Sequence, residues 1–525
     1  MRDEFCSYYT NSKNITAYMV SKLGINDDDI ILEPSAGEGI FIDEILESEK
    51  TVQIDALDIN KEAVAVLKNK YKNNAAVVVR ETDTLLDGQL DLYSSSQLWI
   101  KQTDTLFDKQ LNMLSSFGGH YTKAIGNPPY GAWQDYEKRN LLKKKFAGHY
   151  VKETYTLFLL RCISVLKMRG RLSFIIPDTY LFLNMHSHLR EIIFSNTKVD
   201  EILIFPSKFF PGVNFGYSNL SIITLERCEK DDALNNTFNV IQGFKSPSEF
   251  DELLKNNGIF SNHLKVFSCK QSDILKSYQY RVILAESKIS TLLISTSKKL
   301  GDIADIVTGL YTGDNLRFIK VFSKDVKGAK NYEIANPEKI HSCMSLYGIP
   351  NVEEGYVPYI KSASKRRYVR QSDEWFVRWD KKTIQFYNQN SKARFQNSSF
   401  YFKTGIGIPM VKSSTVRAFL MIDHVFDQSI VGIFPKDNAM MYYLLALMNS
   451  DVINDLIHAI NPTANNSANY IKQLPYIEPT PDIIEQVDAK VKDTILAEAT
   501  ANYENSDKLQ IEINAIINKI YSTHL

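Results

Sequence analysis

The feature that most constrains this chain is a series of short apolar runs, each separated from the next by a stretch with helical spacing and each running out at a polar side chain. Residues 29–32, 52–57, 76–79 and 123–126 read as strands that end at or just before Glu33, Asp58, Asp83 and Asn127. Residues 40–46, 62–70 and 155–166 carry apolar positions at helical spacing, and 14–23 puts Ile15, Tyr18, Met19 and Leu23 on one helical face. A further strand at 172–176 runs into Pro177. Apolar strands alternating with helices predict an α/β fold with an open, mostly parallel sheet covered on both faces. Ligands of such sheets gather beyond the carboxyl ends of the strands. Those four polar residues are therefore the first candidates for function.

The alternation stops near Arg227. Residues 229–236 are polar and charged and read as a linker. Beyond them strands are shorter and turns more frequent. Residues 361–403 are dense in Lys and Arg, interleaved with Tyr368, Trp375, Phe376, Trp379, Phe386, Tyr387 and Phe395, and 482–521 reads as one or two amphipathic helices. The expected division is a catalytic domain at 1–228, a recognition domain at 229–480 and a helical segment at 481–525 packing on it. With 61 basic and 61 acidic residues the formal net charge is zero, which excludes a globally basic binder but leaves local basic patches open. Five scattered cysteines without a CxxC pair argue against a disulfide framework or a zinc site, and no metal is expected. The N-terminus shows no apolar signal segment and no apolar run is long enough to span a membrane, so a soluble cytoplasmic protein is expected.

Two segments carry chemistry. Glu33-Pro34-Ser35-Ala36-Gly37-Glu38-Gly39 lies between a strand and a helix, where glycines let the backbone approach a ligand; it reads equally as a tight turn. Asp58 can accept hydrogen bonds from two ribose hydroxyls, or cap the following helix. Asn127-Pro128-Pro129-Tyr130 is more specific. Its prolines stiffen the chain and withhold two donors while keeping their carbonyls as acceptors. Asn127 adds a side-chain carbonyl and Tyr130 a flat ring. This set suits a planar group bearing an NH2: two acceptors for two hydrogens and a face to stack on. If stacking is the role of Tyr130, Tyr130→Phe is expected to stay active.

In this order and spacing the segments resemble the S-adenosyl-L-methionine-dependent DNA adenine-N6 methyltransferases of the gamma group, the TaqI-type enzymes. The resemblance implies a Rossmann-like class I methyltransferase domain, with a mostly parallel sheet, followed by an α+β target-recognition domain. It also implies roles for residues. Thr10, in Tyr8-Tyr9-Thr10, would contact the methionine part of the cofactor. Glu33, Gly37 and Gly39 belong to the cofactor loop, and Asp58 is the ribose-binding acid. Asp83 and Thr84 match the position that receives the cofactor's adenine amine, and Phe158 the aromatic beside that adenine. Asn127, Pro128 and Tyr130 form the catalytic motif. Phe210, in Phe209-Phe210-Pro211, matches the residue that contacts a flipped base. Leu300-Gly301-Asp302-Ile303, residues 308–315, Phe426-Asp427-Gln428-Ser429, and residues 445–450 followed by 471–475 resemble segments of the family's recognition domains.

The expected reaction is methyl transfer to the N6 amine of an adenine flipped out of duplex DNA, as the modification enzyme of a restriction-modification system. The basic residues Lys143, Lys144 and Lys145, near the catalytic motif, and Arg366, Arg367 and Arg370 are expected to face DNA phosphates. A separate restriction endonuclease is an expected partner, and a monomer is favoured. A fused nuclease is not expected, because no domain precedes Tyr8 and no nuclease-like carboxylate-lysine cluster stands out. Two other readings compete. A protein-glutamine methyltransferase shares the four-residue motif but is a much shorter chain. A DNA-specificity protein with a dead catalytic fold is opposed by the intact motif.

Overall fold

The computed structural model describes residues 12–94, 119–131, 135–210, 219–255, 261–362, 364–370, 372–411, 415–460 and 466–523. The chain divides into two compact units, Met1–Leu284 and Ala285–Leu525.

In the first unit a helix, α1 (Lys13–Leu23), precedes β1 (Ile30–Glu33); α2 (Ile40–Leu46) leads to β2 (Gln53–Asp58), and α3 (Lys61–Lys70) to β3 (Val77–Glu81). After α4 (Gly88–Tyr93) come β4 (Tyr121–Gly126), α5 (Tyr136–Lys145), α6 (Thr154–Val165) and β5 (Leu166–Pro177). The unit is completed by α7 (Ser187–Asn196), β6 (Thr197–Pro206), β7 (Asn219–Arg227), β8 (Thr237–Gln242) and β9 (Lys265–Lys270). Among the described residues these strands form one sheet in the order β3-β2-β1-β4-β5-β7-β6-β8-β9. β1 pairs in parallel with both β2 and β4, β3 extends the parallel run beyond β2, and β5 extends it beyond β4. β7 runs antiparallel between β5 and β6. This is the Rossmann-like class I methyltransferase fold, and the chain reverses its direction of winding between β1 and β4.

Local chemistry explains the elements. α1 stops at Gly24, which adopts φ 60° and returns its N–H to the Ser21 carbonyl. α3 starts at Asn60, whose side chain accepts from the N–H groups of Glu62 and Ala63. Every residue of α6 is buried, Arg161 and Ser164 included, in keeping with its strongly apolar composition. The interior strands read as continuous apolar runs because both of their faces are covered.

The domain boundary expected at 228 is corrected. β8 pairs in parallel with β6 and β9 closes antiparallel on β8, so the first unit continues to Leu284. The stretch taken as a linker instead includes a short helix, Lys230–Asn235, between two strands of one sheet.

The second unit is α+β. It holds β10 (Ala304–Thr308), β11 (Ile319–Val321), β12 (Tyr356–Ile360), β13 (Trp375–Arg378), β14 (Gly405–Pro409), β15 (Phe419–Met421), β16 (Val425–Phe426) and β17 (Ile430–Pro435). They form two four-stranded sheets, β10-β17-β14-β15 and β11-β13-β12-β16. Two long helices, Pro481–Ala499 and Tyr503–Ser522, occupy the stretch expected to be helical. The aromatics of residues 361–403 are mostly core: Tyr368, Trp375, Trp379 and Tyr387 are all buried. Alternation with charge marked strands and a helix there, not a stacking surface. No helix among the described residues is long and apolar enough to cross a membrane.

Candidate active site

β1 and β4 are neighbours in the sheet and parallel, so the turn after Glu33 and the segment after Gly126 leave the same edge. Where an open α/β sheet reverses direction, adjacent loops separate and leave a crevice. The two segments are joined directly: the Ser35 hydroxyl donates to the Asn127 carbonyl at 3.3 Å.

On the β1 side, Gly37 and Gly39 adopt φ 52° and 79°. A Cβ on Gly39 would lie 2.6 Å from the Tyr71 hydroxyl and 2.8 Å from Leu67 Cδ2. That hydroxyl is itself fixed, donating toward the Gly39 carbonyl at 3.0 Å and Asp43 Oδ1 at 2.8 Å. Only glycine fits there. Asp58 holds the turn from below: its Oδ2 accepts from the Gly37 N–H at 2.8 Å and its Oδ1 from the Asn60 N–H at 2.8 Å. It is therefore not the cap of α3, which is Asn60.

Glu33 is 1% exposed, and its Oε2 meets no hydrogen-bond partner. Burial, followed by the nearby charges of Asp58 and Asp43, pushes its carboxyl well above the usual range, with Lys70 acting weakly in the opposite sense. A buried carboxyl oxygen with nothing to bind is a seat for a cationic or donor group of a ligand. The turn thus offers an unpaired acid, a backbone free of Cβ and a second acid at the next strand end, which fits the ammonium and ribose of the expected cofactor.

The loop after β3 is tied to this turn. The buried Thr84 hydroxyl donates to the Pro34 carbonyl at 2.6 Å. Its one hydroxyl proton is spent on this tie, which leaves the oxygen as an acceptor. Asp83 accepts from the Leu85 N–H at 3.1 Å and pairs with Lys138 of α5 at 2.6 Å. Nothing in the linear sequence marks Lys138 for this role. It reaches back from the helix that follows the catalytic motif to the acid expected to read an adenine.

On the β4 side, the chain turns at the two prolines so that Tyr130 folds back onto Asn127. The Tyr130 hydroxyl donates to Asn127 Oδ1 at 2.6 Å. Its ring is 1% exposed and meets Tyr155 edge-on, with centroids 6.4 Å apart at 89°. The open stacking face expected of Tyr130 is therefore not presented here, and its hydroxyl orients the Asn127 amide instead. The Thr154 hydroxyl, at the start of α6, donates to the Pro129 carbonyl at 2.6 Å. Ser35 donates to the Asn127 carbonyl and Thr154 to that of Pro129, whereas no donor to the Pro128 carbonyl is found among the described residues. Thr154 escaped notice because nothing in a linear sequence links it to a loop 25 residues earlier.

The other candidates are placed as follows. Thr10 lies outside the described residues. Phe158 is 7% exposed within α6 and packs in the core of the unit. Phe210 is 3% exposed beyond the carboxyl end of β6, with its ring 6.2 Å from that of Phe205; in this arrangement it faces the core. Lys143 and Lys144 are exposed at the end of α5, whereas Lys145 turns to Asp91 at 2.7 Å. In the second unit Arg366 is not a free cation: its Nη2 and Nε clasp Glu498 at 2.6 and 2.9 Å. Arg370 donates to the Ser362 carbonyl at 3.1 Å and lies over the Phe419 ring at 5.6 Å. Of the three arginines expected to meet phosphate, Arg366 alone forms an ion pair among the described residues.

Next to the lip, Asp178 follows β5 and accepts from the Asn219 side chain at 3.2 Å. Burial pushes its carboxyl up to about 6.

Residues 52–210 match the family model described as the Eco57I restriction-modification methylase. Over 418 residues the chain is 22% identical to the Type II methyltransferase M.AccI of Acinetobacter calcoaceticus, covering 77% of this chain and 66% of that one. Over 411 residues it is 21% identical to the adenine-specific methyltransferase PglX of Lacticaseibacillus casei (strain Zhang), covering 74% of this chain and 32% of that one. The chain thus spans from a third to two thirds of the length of these relatives. The Type IIL restriction-modification enzyme MmeI, solved in complex with DNA, superposes with a TM-score of 0.57 at 10% identity, covering 99% of this chain and 73% of that one. A nuclease-deletion mutant of the Type ISP restriction-modification enzyme LlaGI, with a DNA substrate mimic, gives 0.51 at 13% identity over 92% of this chain and 54% of that one. These likenesses show the fold. The family segment takes in Asp58, Asp83, the whole Asn127 lip, Thr154 and Phe210, while Glu33 and its glycine turn lie just before it.

Proposed function

We propose that this chain is an adenine-N6 DNA methyltransferase of the gamma, TaqI-like group, acting in the cytoplasm as the modification component of a restriction-modification system. S-adenosyl-L-methionine is the cofactor and supplies a methyl group made electrophilic by its sulfonium. The observation that carries the reading is the junction of the glycine turn and the Asn127 lip on one edge of the sheet, bridged by Ser35. Similarity to Type II and adenine-specific methyltransferases supports the same conclusion.

Glu33, Asp58, Asp83 and Phe158, with Thr10, are the residues that would hold the cofactor. The chemistry asked of the protein is at the substrate. An exocyclic adenine amine is a weak nucleophile because its lone pair is delocalised into the ring. Asn127 Oδ1 and the Pro128 carbonyl accept its two hydrogens, so the nitrogen turns toward tetrahedral geometry and its developing positive charge faces fixed acceptors. Thr154 and Tyr130 hold those acceptors in place. The target base leaves the duplex at a cost of a few kcal/mol. Stacking on Phe210 would return about 1–3 kcal/mol, once that ring turns out of the position described above. The second unit reads the DNA sequence, with phosphate contacts from Lys143, Lys144 and Arg367 setting its position.

Tritiated S-adenosyl-L-methionine offered with duplex DNA, RNA and a protein extract tests the substrate class in one assay, and mapping of methylated bases in a host expressing the chain gives the atom and the site. Label entering DNA as N6-methyladenine is expected. Label on glutamine of protein would replace this reading. Asn127→Ala is expected to lose nearly all turnover while cofactor binding persists.

A further inference from the structure

In the second unit a cavity of about 220 Å3 is walled by four cations, Lys365, Arg366, Arg367 and Arg417, and by two carboxylates, Glu498 and Asp507. One cation is committed. Arg366 clasps Glu498, reaches Asp507 at 3.2 Å and lies over the Tyr503 ring at 4.4 Å. Glu498 is 4% exposed and also accepts from the Ser506 hydroxyl, and these contacts hold its carboxyl below the usual range. Both carboxylates are thus satisfied by one guanidinium. Among the described residues, Lys365, Arg367 and Arg417 form no ion pair.

The wall is rigid. Tyr368 is fully buried; its N–H donates to the Ala418 carbonyl at 2.7 Å, its carbonyl accepts from the Leu420 N–H at 3.0 Å, and its hydroxyl donates to Gln510 at 2.5 Å. The segment that carries Lys365 and Arg367 is therefore fastened to the segment that carries Arg417. Like charges gathered around one concavity repel one another, and an anion between them relieves the repulsion. Guanidinium groups match the paired oxygens of a phosphate, and a nearby ammonium adds a point charge.

We propose that Lys365, Arg367 and Arg417 hold one phosphodiester of a duplex DNA backbone, with the Arg366–Glu498 pair as the brace behind them. The proposal rests on the DNA-methyltransferase reading and adds the place where the second unit grips the duplex without reading its sequence. Such a contact fixes register and orientation and leaves specificity to base edges elsewhere.

The test is fluorescence anisotropy of a labelled duplex of arbitrary sequence, from 50 to 200 mM salt, with the full chain. For the wild type, log affinity should fall linearly and steeply with log salt. In Arg367→Gln/Arg417→Gln the slope should shrink by about one, with about tenfold weaker binding at 50 mM salt. Arg417→Lys should keep the slope, and thermal melting of all variants should match the wild type. A double variant that binds with the wild-type slope and affinity overturns the phosphate site while leaving the DNA reading intact. A wild type that binds no duplex and methylates another substrate overturns both.

Discussion

Replacing Tyr130 with Phe isolates the contact on which the geometry of the lip depends. The phenol donates to Asn127 Oδ1 at 2.6 Å, from a ring that is 1% exposed. Loss of one neutral hydrogen bond is worth about 0.5–1.5 kcal/mol, and burial puts this one toward the upper end. In the proposed mechanism Asn127 presents its carbonyl at a fixed angle to the amine, so the loss falls on the transition state. At about 1.4 kcal/mol per factor of ten, kcat should drop about five- to tenfold, with the affinity for S-adenosyl-L-methionine unchanged. The assay is initial-rate transfer of tritiated methyl to a duplex at saturating DNA, with cofactor affinity from calorimetry. Asn127→Ala and the double variant complete a cycle, and the Tyr130→Phe effect should vanish once Asn127 is gone. A variant with wild-type kcat would show that the hydroxyl does not orient the amide and would restore stacking as the role of the ring. Complete inactivity would mean that the hydroxyl does more than orient. The sequence-based expectation that Tyr130→Phe stays active is thus narrowed to activity with a partial loss.

Other outcomes follow from particular contacts. Gly39→Ala forces a left-handed backbone on a residue with a Cβ and drives that atom against the Tyr71 hydroxyl and Leu67. A loss of about 2–4 kcal/mol in urea unfolding is expected, with weaker cofactor binding; an unchanged midpoint would contradict the packing described. Asp178 has its carboxyl raised to about 6 by burial, so the fold prefers it protonated. Its contribution is present below the unfolded value near 4 and is lost as pH rises through about 6. Asp178→Asn should therefore match the wild type at pH 4 and exceed it by at most about 3 kcal/mol at pH 8; urea titrations at the two pH values compare them. Arg366→Ala leaves the buried Glu498 carboxylate without its partner, and since the arginine side chain is 29% exposed a loss of about 2–3 kcal/mol is expected in urea unfolding. A stable Arg366→Ala protein with a shallower salt slope for DNA would return that arginine to the phosphate-contacting set.

The parts of the site that follow from strand period were legible in the sequence. Glu33, Asp58 and Asn127 fall at strand ends because apolar runs stop where a strand leaves the core, and the glycines after Glu33 mark a turn that no other residue could make. What the sequence hid is how hydroxyls and charges are spent. Thr84 and Thr154 each place one proton on a backbone carbonyl of a loop they approach only in three dimensions, Tyr130 spends its own on the side chain of Asn127, and Lys138 finds Asp83 from a distant part of the chain. Arg366 looked like a free cation because its partner, Glu498, sits more than a hundred residues away. The aromatics of 361–403 alternate with charges because the segment holds a strand and a helix whose rings turn to the core. The boundary at 228 failed because the polar stretch there is a connection within the sheet, and the short strands after it carry too weak a period to be assigned to the first unit.

The extension of the sheet past Arg227 decides where this chain can be cut. A protease nick or an engineered stop at 228 would strip β8 from β6 and leave the long Thr197–Pro206 strand with a bare row of amide and carbonyl groups along one side. Exposed rows of that kind recruit other strands and clump. A shortened chain that ends near Leu284 keeps that row covered, so exchange of the second unit between related chains should join them there and not at the end of β7.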